Sequence, residues 1–220
     1  MQEPLRKIQT FISRISEKEL SNLTEPGKEY FKKIQSSVIR MRSLIDDLLQ
    51  FSRTTKTEKR FELTDLNLLL ENAKQELSQD IEDKKAEIHA SHLPILHVIP
   101  FQIQQLFINL IGNSLKYAKD GVAPVITIRD EEINADDYSF FKEKTQKKYH
   151  RISITDNGLG FEQQYAEDIF LLFYRLHPKS ELTGSGIGLS ICKKIVENHK
   201  GYISVEGKPG IGATFSFFLP

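Results

Sequence analysis

Three short stretches of the sequence concentrate side chains suited to holding a charged ligand. In QLFINLIGNSLKYAK, Asn109, Asn113 and Lys116 recur at steps of four and three, so they share one face of a helix predicted over residues 101–118. An apolar stripe through Phe107, Leu110, Ile111 and Leu115 already gives that helix its core-facing side. Amide oxygens suit a hard cation such as Mg²⁺, and a lysine suits phosphate as a point charge. A merely solvated helix face would have the same composition.

The second stretch, DNGLG at 156–160, follows the apolar run RISIT and sets Asp156 at a strand end ahead of Gly158 and Gly160. A carboxylate there can accept a hydrogen bond from an exocyclic amine of the kind adenine carries, and the glycines allow close backbone approach. A plain hairpin turn also favours Asn-Gly. In the third, GSGIGLSICKKIVENH, Gly184, Gly186 and Gly188 precede an amphipathic helix. The amide groups at such a helix start form an anion site, although flexible hinges are glycine-rich too. The stretch is neither a P-loop nor a dinucleotide fingerprint, for it lacks the Gly-Lys-Ser/Thr ending and a strand leading directly into it.

These stretches need a scaffold, and periodicity outlines one. Leu5, Ile8, Ile12 and Ile15 mark a helix starting near Pro4; SNLTEPG at 21–27 breaks the period, and Ile34, Val38, Met41, Ile45 and Leu48 repeat at 4-3-4-3. Two such helices form a hairpin with apolar seams, which a second copy would cover as a four-helix bundle, so a homodimer through residues 4–53 is expected. RTTKTEKR at 53–60 is polar and aperiodic. The expected organisation is a helical hairpin over 1–53, a linker over 54–60 and a second domain over 61–220.

In that second domain the pattern predicts strands near 61–63, 86–90, 95–98, 124–129, 150–155, 201–206 and 213–218. Helices are predicted at 67–84, 101–118, near 163–170 and at 187–199, and DEEINADDYSFFKEKTQKKYH reads as a lengthened hairpin connection. Without regular βαβ alternation, the expected class is α+β, a two-layer α/β sandwich on a mostly antiparallel sheet.

Thirty basic residues balance thirty acidic ones, so no net field draws the protein to nucleic acid or an anionic membrane. One cysteine, Cys192, excludes an internal disulfide framework and a cysteine-based zinc site, and is expected to be a buried thiol. No apolar run approaches the roughly 18 residues needed to span a bilayer, and no signal-peptide core is present, so the chain is expected to be soluble and cytoplasmic.

In order, NLIGNSLKY, DNGLG, IFLLFYRL and GSGIGL resemble the nucleotide-binding signature of sensor histidine kinases, in the superfamily shared with DNA gyrase, Hsp90 and MutL. QEPLRKIQTF resembles the tail of that family's phosphoacceptor box, and MRSLIDDLLQFSR the end of its second dimerisation helix. The resemblance implies an ATP- and Mg²⁺-dependent autophosphorylating kinase that passes phosphate to an aspartate on a response-regulator receiver domain. It implies that Asn113 ligates Mg²⁺, Lys116 reaches phosphate, Tyr117 lines the pocket and Asp156 reads the adenine amine. Gly158 and Gly160 would shape the floor, while Gly184, Ser185, Gly186, Gly188 and Leu189 would form the end of a lid over the phosphates. Phe170, Phe173 and Arg175 match the family's phenylalanine box, the phenylalanines being expected mostly to pack in the core and Arg175 to contact the terminal phosphate.

Asn109, also at the nucleotide and counted with Lys116 and Arg175 in the catalytic centre, stands where gyrase, Hsp90 and MutL carry a water-activating glutamate. An amide cannot serve as that base, which favours phosphotransfer over a gyrase- or MutL-type ATPase clamp. His89, His92, His97, His150, His177 and His199 all lie outside the hairpin, with His199 expected at a helix C-terminus, favoured there when charged. In the family pattern the acceptor histidine precedes an acidic residue and stands five positions before the proline matching Pro4, which would lie upstream of Met1. The chain as given is therefore expected to bind nucleotide without phosphorylating itself, unless it is a degenerate kinase that uses nucleotide as a conformational signal.

Overall fold

A computed structural model describes residues 2–56, 60–137, 147–176 and 185–220. Its N-terminal part is a hairpin of α1 (Gln2–Lys18) and α2 (Glu25–Lys56), joined through a single 3-10 turn at Leu20–Asn22. The second helix begins inside the stretch expected to turn and runs through Lys56, so helix occupies the first positions of the expected linker.

The two apolar repeats divide by alternate positions. Leu5 and Ile12 of α1 meet Phe31, Val38 and Ile45 of α2 inside the hairpin. Ile8 and Ile15, with Phe11, stay 37–61% exposed on α1, and Ile34, Met41 and Leu48 stay 48–54% exposed on α2. Each heptad thus contributes one residue to the hairpin's own core and one to an outer apolar face. Burying a large aliphatic side chain is worth about 1.5–3 kcal/mol, so that outer face strongly favours a covering surface.

The second domain begins with β1 (Glu62–Asp65), α3 (Leu66–Glu76), α4 (Ser78–Asp83), β2 (Glu87–Ala90) and β3 (Ile95–Val98). The Asp65 side chain caps α3 by accepting the Asn67 N–H at 2.8 Å. Next come α5 (Pro100–Lys116), opened by a proline whose missing N–H costs nothing there, β4 (Val125–Asn134) and β5 (Lys148–Asp156). The chain closes with α6 (Gly188–Asn198), β6 (Tyr202–Lys208) and β7 (Gly212–Leu219). A five-stranded sheet has the order β2-β4-β5-β7-β6, antiparallel except for the β2/β4 pair, while β1 and β3 form a separate antiparallel pair.

One face of the sheet carries the core. Ile126 and Ile128 of β4, Ile152 and Ile154 of β5, and Phe215 and Phe217 of β7 alternate inward against Ile103, Phe107 and Leu110 of α5 and Ile191 and Ile195 of α6. Phe107 meets Phe217 edge to face with ring centroids 5.9 Å apart, fixing α5 over the sheet. The α+β class and the mostly antiparallel sheet are as expected. Over 163–170, however, the chain forms two 3-10 turns, Gln163–Tyr165 and Asp168–Phe170, in place of the expected helix. Strands β4 and β5 also extend into the polar stretch expected to connect them. Among the described residues no helix is long and apolar enough to cross a membrane.

Candidate functional site

The end of β5, the C-terminal half of α5, the 169–176 segment and β7 line an open-mouthed cavity. Asn113, Tyr117, Asp156, Gly160, Arg175 and Leu189 line it, so six of the expected site residues, from four distant parts of the sequence, meet in one place. Phe161, Ile169, Leu176 and Phe215 supply its apolar walls. Such a cavity, mostly apolar with a few converging polar groups, suits an aromatic ring with a charged tail.

Asp156 is the most constrained polar group of the site. Its Oδ1 accepts the Gly158 N–H at 2.9 Å and the Ala213 N–H at 3.2 Å, while Oδ2 accepts the Ser114 hydroxyl at 3.1 Å. Burial pushes its carboxyl above the ordinary range, against the pull of these hydrogen bonds and of Lys119. Gly158 must be small, because a Cβ there would lie 2.6 Å from the Tyr117 carbonyl oxygen and 2.9 Å from the carboxylate itself. Gly160, with φ +62°, would drive a Cβ to 2.0 Å from the Lys208 carbonyl oxygen.

Among the described residues, the remaining expected ones sit around this cavity without lining it. Asn109 is drawn toward α6: its Nδ2 donates to the Gly188 carbonyl at 3.3 Å and its Oδ1 accepts from Gln105 Nε2 at 3.0 Å. Lys116 lies with its ammonium 4.8 Å from the Tyr117 ring centroid, a cation–π contact at the cavity edge. The Ser185 hydroxyl accepts the Ile187 N–H at 3.2 Å, and the Gly186 carbonyl accepts the Phe173 N–H at 2.9 Å, so both belong to the turn that opens α6. Gly184 and His177 lie outside the described residues.

Two expectations change. Phe170 is buried, but Phe173 is 61% exposed and holds a left-handed backbone (φ +65°) that costs a non-glycine residue about 1–2 kcal/mol. The core-packing role expected of both phenylalanines holds for the first alone. His199 does cap α6, but not as a cation: buried, it accepts the Ile99 N–H on Nε2 at 2.9 Å and faces the Ile195 carbonyl with Nδ1 at 2.7 Å, a pattern that needs the neutral ring with its proton on Nδ1.

Cys192 is fully buried beside Asn109 with its thiol pushed up to about 12, an inert core group as expected. Among the described residues no cluster of three His, Cys, Asp or Glu side chains could hold a metal by itself. A cation here would need oxygens from a bound ligand beside the Asn113 amide, which is the coordination habit of Mg²⁺.

Ser114 was not among the expected residues, yet its signal is visible. The residues of α5 facing the core include Ile103, Phe107 and Leu110, and Ser114 continues that row as a hydroxyl on an apolar stripe. A buried hydroxyl needs a partner, and the partner is Asp156.

Comparison with known proteins gives two family matches. The profile described as histidine kinase-, DNA gyrase B-, and HSP90-like ATPase matches residues 98–220, and the His Kinase A (phospho-acceptor) domain matches residues 1–57. The phytochrome-like protein Cph1 of Synechocystis is 34% identical over 220 residues, covering all of this chain and 28% of Cph1. The adaptive-response sensory kinase SasA of a Synechococcus strain is 30% identical over 198 residues, covering 88% of this chain and 49% of its own. The chain thus spans about a quarter to a half of these relatives. Among solved structures, full-length ShkA in complex with AMPPNP has a TM-score of 0.66 at 24% identity, covering 99% of this chain and 45% of ShkA. ThkA in complex with the response regulator TrrA has a TM-score of 0.64 at 22% identity, covering this whole chain and 59% of that one; both likenesses concern the fold.

Proposed function

Because this chain belongs to the histidine kinase-, DNA gyrase B- and HSP90-like ATPase family, with a His Kinase A domain ahead of that fold, we propose that it is the ATP-dependent phosphotransfer core of a two-component sensor kinase. Asp156 accepts the exocyclic amine of adenine, and the apolar walls sandwich the base. Asn113 supplies one oxygen to a Mg²⁺ ion that would come in with the phosphates and neutralise part of their charge. Lys116 and Arg175, both near the cavity, contact the phosphates. In a chain that carries a histidine five positions before Pro4, the hairpin dimerises through its outer apolar face and presents that histidine as the nucleophile. Its imidazole nitrogen attacks the γ-phosphorus, the bond to the β,γ-bridging oxygen breaks with its electron pair going to that oxygen, ADP leaves, and the other ring nitrogen releases its proton to solvent. A response-regulator aspartate then takes the phosphoryl group from the histidine. By analogy, ShkA binds AMPPNP and ThkA a response regulator.

The observation that carries phosphotransfer over hydrolysis is Asn109. It is an amide, already engaged by Gln105 and Gly188, so water near the γ-phosphate meets no general base at this position. The alternative is a nucleotide-gated module without transfer, in which the bound nucleotide acts only as a conformational signal.

One experiment separates these readings. With ATP labelled in the γ-phosphate, the 220-residue chain should bind nucleotide and gain no acid-labile label. A version with His-Glu placed ahead of Met1, which sets a histidine five positions before Pro4, should become labelled. Labelling of the chain as it stands, at any of its six histidines, sinks the proposed geometry, and an unlabelled His-Glu version gives the module the better claim.

A further inference from the structure

The Asp156 carboxylate has about four acceptor positions, and the described contacts account for three: two on Oδ1, from Gly158 and Ala213, and one on Oδ2, from Ser114. The fourth, on Oδ2, is the position left for a ligand in the cavity that Asp156 lines. Whichever base enters there meets a carboxylate whose angle is set on one oxygen by backbone and on the other by a single hydroxyl. That hydroxyl is 97% buried on α5, lies 3.2 Å from the Leu110 carbonyl as well, and has one proton for two acceptors.

We propose that Ser114 is a positioning and specificity-determining residue of the nucleotide site, which holds Asp156 as an acceptor turned to the cavity and so selects a 6-amino over a 6-oxo purine. This rests on the adenine-nucleotide reading above. A 6-amino group donates to the open position on Oδ2. A 6-oxo group presents an acceptor to an acceptor, so a 6-oxopurine takes the same pose only when the carboxylate carries a proton and must otherwise shift to donate from its N1–H. Burial favours that proton, since it pushes this carboxyl upward against the pull of its hydrogen bonds and of Lys119. The hydroxyl opposes it: an O–H to carboxylate bond is about twice as strong as a neutral one, so Ser114 favours the ionised form even though its oxygen could also accept from the acid. Removing it leaves two backbone donors on Oδ1 and frees Oδ2 both to turn and to take up a proton.

The test uses the whole chain with Mg²⁺ and compares ATP with inosine triphosphate, which differs at position 6 of the purine. Affinities are measured calorimetrically from mildly acidic to mildly alkaline pH. The parent should prefer ATP throughout, with the preference shrinking toward acid. Ser114→Ala should lose roughly tenfold of the ATP:ITP ratio, the loss of one hydrogen bond to a charged group. Its ratio should also begin to fall at a higher pH, and Ser114→Thr, which keeps the hydroxyl, should restore both. Added to Asp156→Asn, Ser114→Ala should change the ratio no further. If Ser114→Ala does not fold, Ser114→Cys, a weaker donor of similar shape, should give an intermediate ratio. A folded Ser114→Ala or Ser114→Cys protein with the parent's ratio and pH profile overturns the role of Ser114. A parent chain that does not distinguish ATP from inosine triphosphate overturns instead the adenine reading beneath it.

Discussion

Replacing Asp156 by Asn should weaken nucleotide binding and stabilise the ligand-free protein, two effects of opposite sign from one substitution. For binding, the amide keeps an oxygen for the Gly158 and Ala213 N–H groups, so local structure is retained. Its NH₂ then replaces Oδ2 and opposes the adenine amine donor to donor. The loss is one charge-assisted hydrogen bond, about 1.5–3 kcal/mol, or roughly 10- to 150-fold in Kd. For stability, burial raises the Asp156 carboxyl above its unfolded value. A raised acid contributes stability that is complete below the ordinary carboxylate range and lost as pH rises through the folded value. At neutral pH the ionised form is therefore the costly one, and the neutral amide removes that cost.

Thermal unfolding reads both effects. At nucleotide 100 times above the parent's Kd, binding stabilises the parent by about 2.7 kcal/mol, and a hundredfold weaker variant by only about 0.4 kcal/mol. The variant's free Tm should exceed the parent's at neutral pH, with the gap closing on acidification, while its nucleotide-induced shift nearly vanishes. A variant Kd within twofold of the parent's would show that Asp156 does not read the base. A lower free Tm at neutral pH would show that its hydrogen bonds, not its burial, dominate its energetics.

Asn113→Ala should reduce affinity measured with Mg²⁺ far more than affinity measured with a chelator, since it removes a metal ligand and not a base contact; equal losses in calorimetry would refute that assignment. Asn109→Glu, its companion, should raise steady phosphate release by supplying the missing base. For the hairpin, Met41→Glu on the outer face should convert a dimer to a folded monomer in light scattering, while Ile45→Glu, in the hairpin's own core, should also lower helicity. A concentration-independent monomer for the parent would end the dimer assignment.

Much of the order of elements was legible because α3, α5 and α6 each carry an apolar stripe and β4 and β5 alternate, as Ile126/Ile128 and Ile152/Ile154 do. The turns at Gln163–Tyr165 and Asp168–Phe170 were not, because a short apolar run does not distinguish a helix from successive turns. The hairpin seam was legible as a repeat, but which half faces inward depends on how the two helices are rotated, information that no single helix holds. At the site, the structure brings Asp156, at the end of β5, and Gly160, at positive φ, to the cavity lining. Ser114 escaped because its meaning lies in a partner 42 positions away. The place of His199 at the end of α6 was legible, but its neutral ring was not, since its Nε2 partner, Ile99, is 100 positions away.

Those long-range bonds also explain which half of the site can be stiff. Helix α5 is tied to α6 at both ends: Asn109 to the Gly188 carbonyl near the cavity, and Ile99 to His199 with Gln102 to Asn198 at the far end. It is tied to the sheet through Ser114 and Asp156 and through Phe107 and Phe217. The base recognition proposed for Asp156 would therefore rest on packed, mutually fixed elements, as a site that reads one hydrogen bond requires. The opposite wall is built otherwise. Leu171, Leu172 and Phe173 are each about half exposed, Phe173 is strained, and the segment is tied to the α6 entry by a backbone bond from Phe173 to Gly186. Arg175, the cation proposed for the terminal phosphate, stands two residues beyond Phe173. On the proposed reading, nucleotide binding then has two parts: reading the base against a packed floor, and settling the phosphates against a wall whose Leu171, Leu172 and Phe173 side chains are exposed. Truncating the phosphates should cost ordering and leave base selectivity intact, whereas changing the base should do the reverse.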